Sequence, residues 1–181
     1  MPRINLVDPQ SAPSNVEGTL SEIKGAFGVV PNMFRAVGNS SAALNFMWGG
    51  FGALGEGKLG AQLGEKIAVA IANKNACAYC LAAHSALGQK AGASSAEMTD
   101  AQLGRSADPK TQAALTFALK VVENRGQVTD RDVEALKSAG FDNEAIMEIV
   151  AHIALNLFTN YVNVALDVPV DFPSLKLKPA A

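Results

Sequence analysis

Apolar residues recur along most of the chain at spacings of three and four, and no stretch shows the strict alternation of a half-buried strand, so the pattern predicts helices. From the serine pair Ser40 and Ser41, which suits an N-cap, Ala43, Leu44, Met47 and Trp48 fall on one side of a helix. The glycines between Gly49 and Gly60 read as a flexible connector or as room for close helix approach; they lack the lysine and spacing of a phosphate-binding loop. A helix is predicted from about Leu59 to Asn73. The run Asn73, Lys74, Asn75 interrupts it, and the next helix extends from near Ala76 to about Lys90 and stops at Gly92. After Ser95 to Leu103, Asp108 and Pro109 cap and open a helix through Glu123, Thr129 to Asp132 caps another through Lys137, and the longest runs from Asn143 to about Leu166. Pro2, Pro9, Pro13 and Pro31 make residues 1–35 an irregular arm, with one short helix near Thr19 to Phe27 and no assigned function. The expected fold class is all-α, a single-domain bundle of roughly seven helices over residues 1–181.

Composition sharpens this picture in two ways. Hydrophobic residues make up 49% of the chain and charged ones 18%, an apolar balance that points to surface buried between subunits, so a homo-oligomer is expected. The net charge is −2 with no basic block, which argues against nucleic acid as a partner. The N-terminal stretch lacks the apolar run of a signal peptide, and no later segment reads as approaching the ~20 apolar residues that cross a bilayer, so no membrane partner and a cytoplasmic location are expected. In a reducing compartment, two cysteines three positions apart are better explained by chemistry than by a structural staple.

The chemistry concentrates in residues 65–84. Cys77, Cys80 and His84 stand at offsets of three and seven, so on a helix they share one face, within about 60°. The break at Asn73 to Asn75 puts both cysteines in the first turns, where unpaired backbone N–H groups and the helix dipole favour thiolate. His84, one turn beyond Cys80, can accept its proton or stabilise the thiolate, which makes Cys80 the better nucleophile. Cys77 is then positioned to resolve the oxidised intermediate as a disulfide. Glu65 emerges from a strip that also holds Ala68, Val69 and Ala72, and only the turn at Asn73 to Asn75 can bring its carboxylate to the cysteines. Buried packing, or a zinc site completed by Glu65, His152 or another carboxylate, remain alternatives for the cysteine pair.

Glu65, then Cys77-Ala78-Tyr79-Cys80 beginning twelve positions on, then His84 resembles the signature of the AhpD-like alkyl hydroperoxidases within the carboxymuconolactone decarboxylase superfamily. The resemblance covers about Leu59 to Gly92, and the helices after Asp108 look like the C-terminal part of the peroxidase-related members. It implies an AhpD-like bundle assembled as dimers, trimers or hexamers and reduction of a small hydroperoxide. By that resemblance Cys80 is the attacking thiolate, Cys77 the resolving partner, Glu65 and His84 a proton relay, and an external thiol reductant of unspecified identity restores the pair. A histidine stands between the cysteines of the best-known member where this chain has Tyr79, so a relay through that imidazole is lacking. Tyr79 reads as a substrate-pocket wall, and the sequence calls for no bound cofactor or metal. The same site also suits exchange with a protein or lipoyl disulfide.

In the last helix Glu148, His152, Asn156, Thr159, Asn160, Asn163 and Asp167 lie within about 120° of one another. A solvent face is the plain reading. Richness in Asn also suits hydrogen bonding at an interface or in a pocket lining. Met33, Phe46, Met47, Trp48 and Phe51 read as core, interface or the wall of an organic-peroxide pocket.

Overall fold

Helix starts follow the capping residues closely. Side-chain oxygens of Ser40, Ser94, Asp108 and Asp142 each accept a backbone N–H three residues on, satisfying donors that a helix leaves open at its first turn. The computed structural model describes residues 1–179, and among them it contains nine helices and no strand. They are α1 (Ser14–Phe27), α2 (Asn32–Val37), α3 (Ser41–Gly55), α4 (Gly60–Lys74), α5 (Ala78–Lys90), α6 (Ser95–Gln102), α7 (Pro109–Glu123), α8 (Asp130–Ser138) and α9 (Asn143–Ala165). The all-α class holds, with more helices than the seven expected.

At the centre lies α4, which packs against α5, α6, α7 and α9. Its residues from Lys66 to Asn73 are all buried, and their small or β-branched side chains let neighbours close in on every side. Lys66, the one charge in that run, reaches Glu97 Oε1 at 2.7 Å, and this hydrogen bond pulls the Glu97 carboxyl down to about 2.

The structure corrects the sequence reading in several places. Residues 1–35 are not an irregular arm throughout: α1 begins at Ser14, directly after Pro13, and buries Val16, Leu20 and Ile23, while α2 begins directly after Pro31. Gly49, Gly50, Gly52 and Gly55 belong to α3 rather than to a connector. Phe51 and Leu54 pack against the core and hold this glycine-rich end helical, and a β-carbon at Gly50 would meet Leu155 Cδ1 at 3.4 Å, a close helix approach. Finally, α9 has 23 residues and an 18-residue window of mean hydropathy 1.3, so by length and composition it is apolar enough to cross a membrane.

The polarity of α9 is reversed relative to the solvent-face reading. Asn156, Thr159, Asn160 and Asn163 are buried, whereas Met147, Val150, Tyr161 and Val164 on the opposite side are exposed. The row of amides points into the bundle because it meets polar groups there.

Candidate active site

A single turn builds the corner that carries the sulfurs. Ala76 adopts φ 54°, the Cys77 N–H bonds to the Ala72 carbonyl at 2.8 Å and the Ala76 N–H to the Asn73 carbonyl at 3.2 Å, which together make a Schellman motif closing α4. Cys77, the last residue of that motif, is also the N-cap of α5, and its Sγ accepts the Cys80 N–H at 3.2 Å. Closing one helix and opening the next with the same residue folds α5 back on α4 and brings Glu65 to the cysteines' helix.

There Glu65 Oε2 lies 2.7 Å from His84 Nδ1, with the imidazole side chain 11% and the carboxylate side chain 22% exposed. An Nδ1–H that donates to the carboxylate leaves Nε2 free to take or deliver a proton. Cys77 and Cys80 are joined as a disulfide, and both are buried. Only Cys80 lines the adjoining cavity of about 230 Å³, together with Glu65, His84 and Tyr79. Cys77 sits behind it, where the helix N-terminus stabilises negative charge on its sulfur. Among the described residues, no three His, Cys, Asp or Glu side chains converge to hold a metal ion.

Aromatic side chains make most of the remaining cavity wall. Phe34 stands between Phe27, Trp48 and Phe51 with ring centroids 5.6, 5.9 and 6.1 Å away, and Phe172 packs edge-on against Tyr79 at 5.7 Å. The Tyr79 hydroxyl oxygen accepts the Met33 N–H at 3.2 Å, and burial pushes its pKa well up, so it remains a neutral phenol. Met33, Trp48 and Phe51, for which a pocket wall is one of the expectations, do line the cavity, whereas Phe27, Pro31 and Phe34 come from the segment to which the sequence assigned no function. A legible signal was present there: Val16, Leu20, Ile23 and Phe27 recur at four, three and four, a core-facing helical stripe.

The buried amides of α9 complete the far side. Asn163 Nδ2 donates to Cys80 Sγ at 3.2 Å, and Asn75 Nδ2 donates to Asn160 Oδ1 at 3.0 Å. The carboxylate of Glu148 accepts the Leu59 N–H at 3.1 Å, at the entrance to α4. A second cavity of about 120 Å³ is bordered by Glu65 and His84 and also by Gly64, His152 and Asn156, so the carboxylate–imidazole pair forms a partition between two spaces. Burial lowers the pKa of His152 against the opposing influence of Glu65 and Glu148. Gly64 gives that ring its place, since a β-carbon there would stand 2.8 Å from His152 Cε1.

Comparison with known proteins agrees with the all-helical fold. Residues 41–124 match the carboxymuconolactone decarboxylase family. The alkylhydroperoxidase AhpD core structure of a peroxidase-related protein from Ralstonia eutropha JMP134 is similar over 94% of this chain and 92% of its own, at 25% identity and TM-score 0.85. A peroxidase-related protein from Silicibacter sp. TM1040 is 24% identical, with TM-score 0.82 over 93% of this chain and 91% of its own. The debrominase Bmp8, in complex with 2,3,4-tribromopyrrole, shares the fold at 21% identity and TM-score 0.79, with 93% of this chain and 91% of its own covered. No curated protein matches.

Proposed function

We propose that this chain, which is similar to the AhpD-like members of the carboxymuconolactone decarboxylase superfamily, reduces organic hydroperoxides with the Cys77–Cys80 pair. The observation that carries the reading is Cys80 in the wall of an aromatic cavity beside a carboxylate–imidazole couple, with Cys77 on the helix N-cap behind it. In the reduced protein, the Cys80 thiolate attacks the distal peroxide oxygen and the O–O bond breaks. The alkoxide takes a proton from the His84 imidazolium, which Glu65 stabilises and orients. Cys80 is left as sulfenic acid. The Cys77 thiolate then attacks that sulfur, the S–O bond breaks, hydroxide is protonated to water, and the disulfide forms. An external thiol reductant returns both thiols.

The apolar walls favour a compact substrate with an aromatic or branched body over an extended protein partner. They also support a second reading, reductive dehalogenation of an aromatic ring, on the analogy of the bromopyrrole that Bmp8 holds. In that case Cys80 takes bromine from carbon, the carbon takes a proton, and Cys77 displaces bromide to give the same disulfide.

Intact-mass analysis of the pre-reduced protein during stepwise addition of cumene hydroperoxide tests the sulfur roles. Cys77→Ser should consume one equivalent and hold a sulfenic acid that dimedone traps, whereas Cys80→Ser should consume none. Equal consumption by Cys80→Ser would reject the assignment. Bromide release from a bromopyrrole without reaction toward the peroxide would shift the conclusion to dehalogenation.

A further inference from the structure

Peroxide reduction as proposed above consumes two protons, one on the alkoxide and one on the hydroxide that leaves sulfur. His84, as imidazolium, supplies the first. Cys77 is a poor source of the second: its sulfur accepts the Cys80 N–H at the start of α5, where thiolate is favoured, and it stands behind the cavity wall. Nor does the catalytic cavity offer a way in once substrate fills it, since Phe27, Phe34, Trp48, Phe51 and Phe172 line it. The second proton has to reach the carboxylate–imidazole couple from its other side.

On that side lies the smaller cavity, whose volume of about 120 Å³ holds several waters at about 10–15 Å³ each. Glu65 and His84 line both spaces, and Gly55, Gly60 and Ala61, all exposed, put the smaller one at the protein surface. Besides the couple, His152 is the one lining side chain that can hold a proton. The titratable groups that face its ring are Glu65 from α4, His84 from α5 and Glu148 one turn earlier on α9, while α3 brings only Phe51, Leu54 and Gly55 to this cavity. Among the described residues no hydrogen bond ties the ring down; the His152 carbonyl accepts the Asn156 amide at 2.9 Å. Two acceptors in the same wall also lack partners among the described residues: Asn156 Oδ1, and Glu65 Oε1, since the bond to His84 uses Oε2.

We propose that this cavity is the proton entrance of the site and that His152 recharges it, passing a solvent proton through water to Glu65 Oε1. The assignment rests on the peroxidase reading. After His84 has protonated the alkoxide, the His152 imidazolium returns to neutral imidazole as Glu65 becomes a carboxylic acid. The Cys77 thiolate then attacks the Cys80 sulfenic acid, the S–O bond breaks, and the Glu65 proton goes to the departing hydroxide. Water, the disulfide and a Glu65 carboxylate remain. His152 acts through Glu65 and takes its next proton from solvent at the rim. Burial keeps the pKa of His152 below its ordinary value, so the imidazolium gives its proton up readily.

Rapid-quench mass analysis of the pre-reduced full chain with cumene hydroperoxide separates the two protons, because dimedone-trapped sulfenic acid reports the first and disulfide the second. His152→Ala should form sulfenic acid within about threefold of the wild-type rate, yet close the disulfide at least about tenfold more slowly. Imidazole added to the buffer should restore closure by entering the space that the ring occupied, whereas pyrazole, equal in size but a far weaker base, should not. His152→Gln, which refills the space and carries no proton, should show the same defect. Disulfide closure at the wild-type rate in either variant overturns the proposal. So does equal slowing of both steps, or a slowed closure in His152→Ala that imidazole leaves slow or that pyrazole restores equally. A wild type that consumes no hydroperoxide instead overturns the peroxidase reading, and this inference with it.

Discussion

Asn163 is the residue at which the reading of the site can be put to a quantitative trial. Its side-chain amide donates to Cys80 Sγ at 3.2 Å within a buried setting. A hydrogen bond to a charged acceptor contributes about 1.5 kcal/mol at the weak end, and 1.36 kcal/mol corresponds to one pKa unit, so losing it should raise the Cys80 thiol pKa by about one unit. The sign follows from the donor: an N–H stabilises thiolate over thiol, and its removal moves the titration upward. Asn163→Ala in a Cys77→Ser background leaves one titrating sulfur and preserves an oxygen at the N-cap. Rates of iodoacetamide alkylation measured against pH give the pKa directly. Below both titration midpoints the variant should react with alkylating agent and with hydroperoxide about tenfold more slowly, and the deficit should close above the new midpoint. Stability should change little. Asn163 Oδ1 is buried without a partner, so relief of that unmet acceptor offsets the small cavity that the truncation leaves. An unshifted titration with an unchanged rate would refute a role for the amide in activating sulfur.

Two further expectations follow from the same corner. Glu65→Gln keeps the shape of the partition but removes the charge opposite His84, so single-turnover peroxide reduction should fall by about 10²-fold or more, the usual contribution of a positioned acid–base group; stopped-flow consumption of hydroperoxide by the pre-reduced protein measures it, and a rate within threefold of wild type would count against the relay. Ala76→Gly should retain activity and stabilise the fold by up to about 1 kcal/mol, because a non-glycine residue at positive φ costs about 1–2 kcal/mol while glycine's added unfolded freedom returns part of that gain. Thermal melting checks it, and a lower Tm would show that Ala76 is not strained.

The sulfur site was legible in the sequence because it is written in local spacing. Offsets of three and seven put Cys77, Cys80 and His84 on one helical face whatever surrounds them, and the Asn73 to Asn75 break announced the turn that returns Glu65. Sequence did not reveal that Cys77 alone caps α5 while Cys80 alone meets the cavity, since helix direction and cavity position arise from packing. Part of the cavity wall was hidden for a different reason. Met33, Trp48, Phe51 and Tyr79 are legible as candidate wall residues, but the prolines at Pro13 and Pro31, which mark helix starts, also read as signs of irregular chain and conceal Phe27, Pro31 and Phe34.

The reversal of α9 shows where periodicity stops being informative. A period of 3.6 separates a helix into two faces, but it does not say which face is inside; that assignment assumes that apolar residues are the ones buried. Here the amide face turns inward because its hydrogen-bonding groups meet Cys80 and Asn75, groups supplied by a corner far away in sequence. The cost is visible in the three buried amide atoms without partners, on Asn156, Asn160 and Asn163. Of these three, Asn163 is the one whose amide donates to Cys80, at a sulfur whose lone pairs and protons would change through the proposed reaction. An apolar inward face would pack better and could offer that sulfur no donor. The same requirement leaves the apolar side of α9 facing outward, so the chemistry at Cys80 and the exposed seam from Met147 to Val164 are two consequences of one helix orientation.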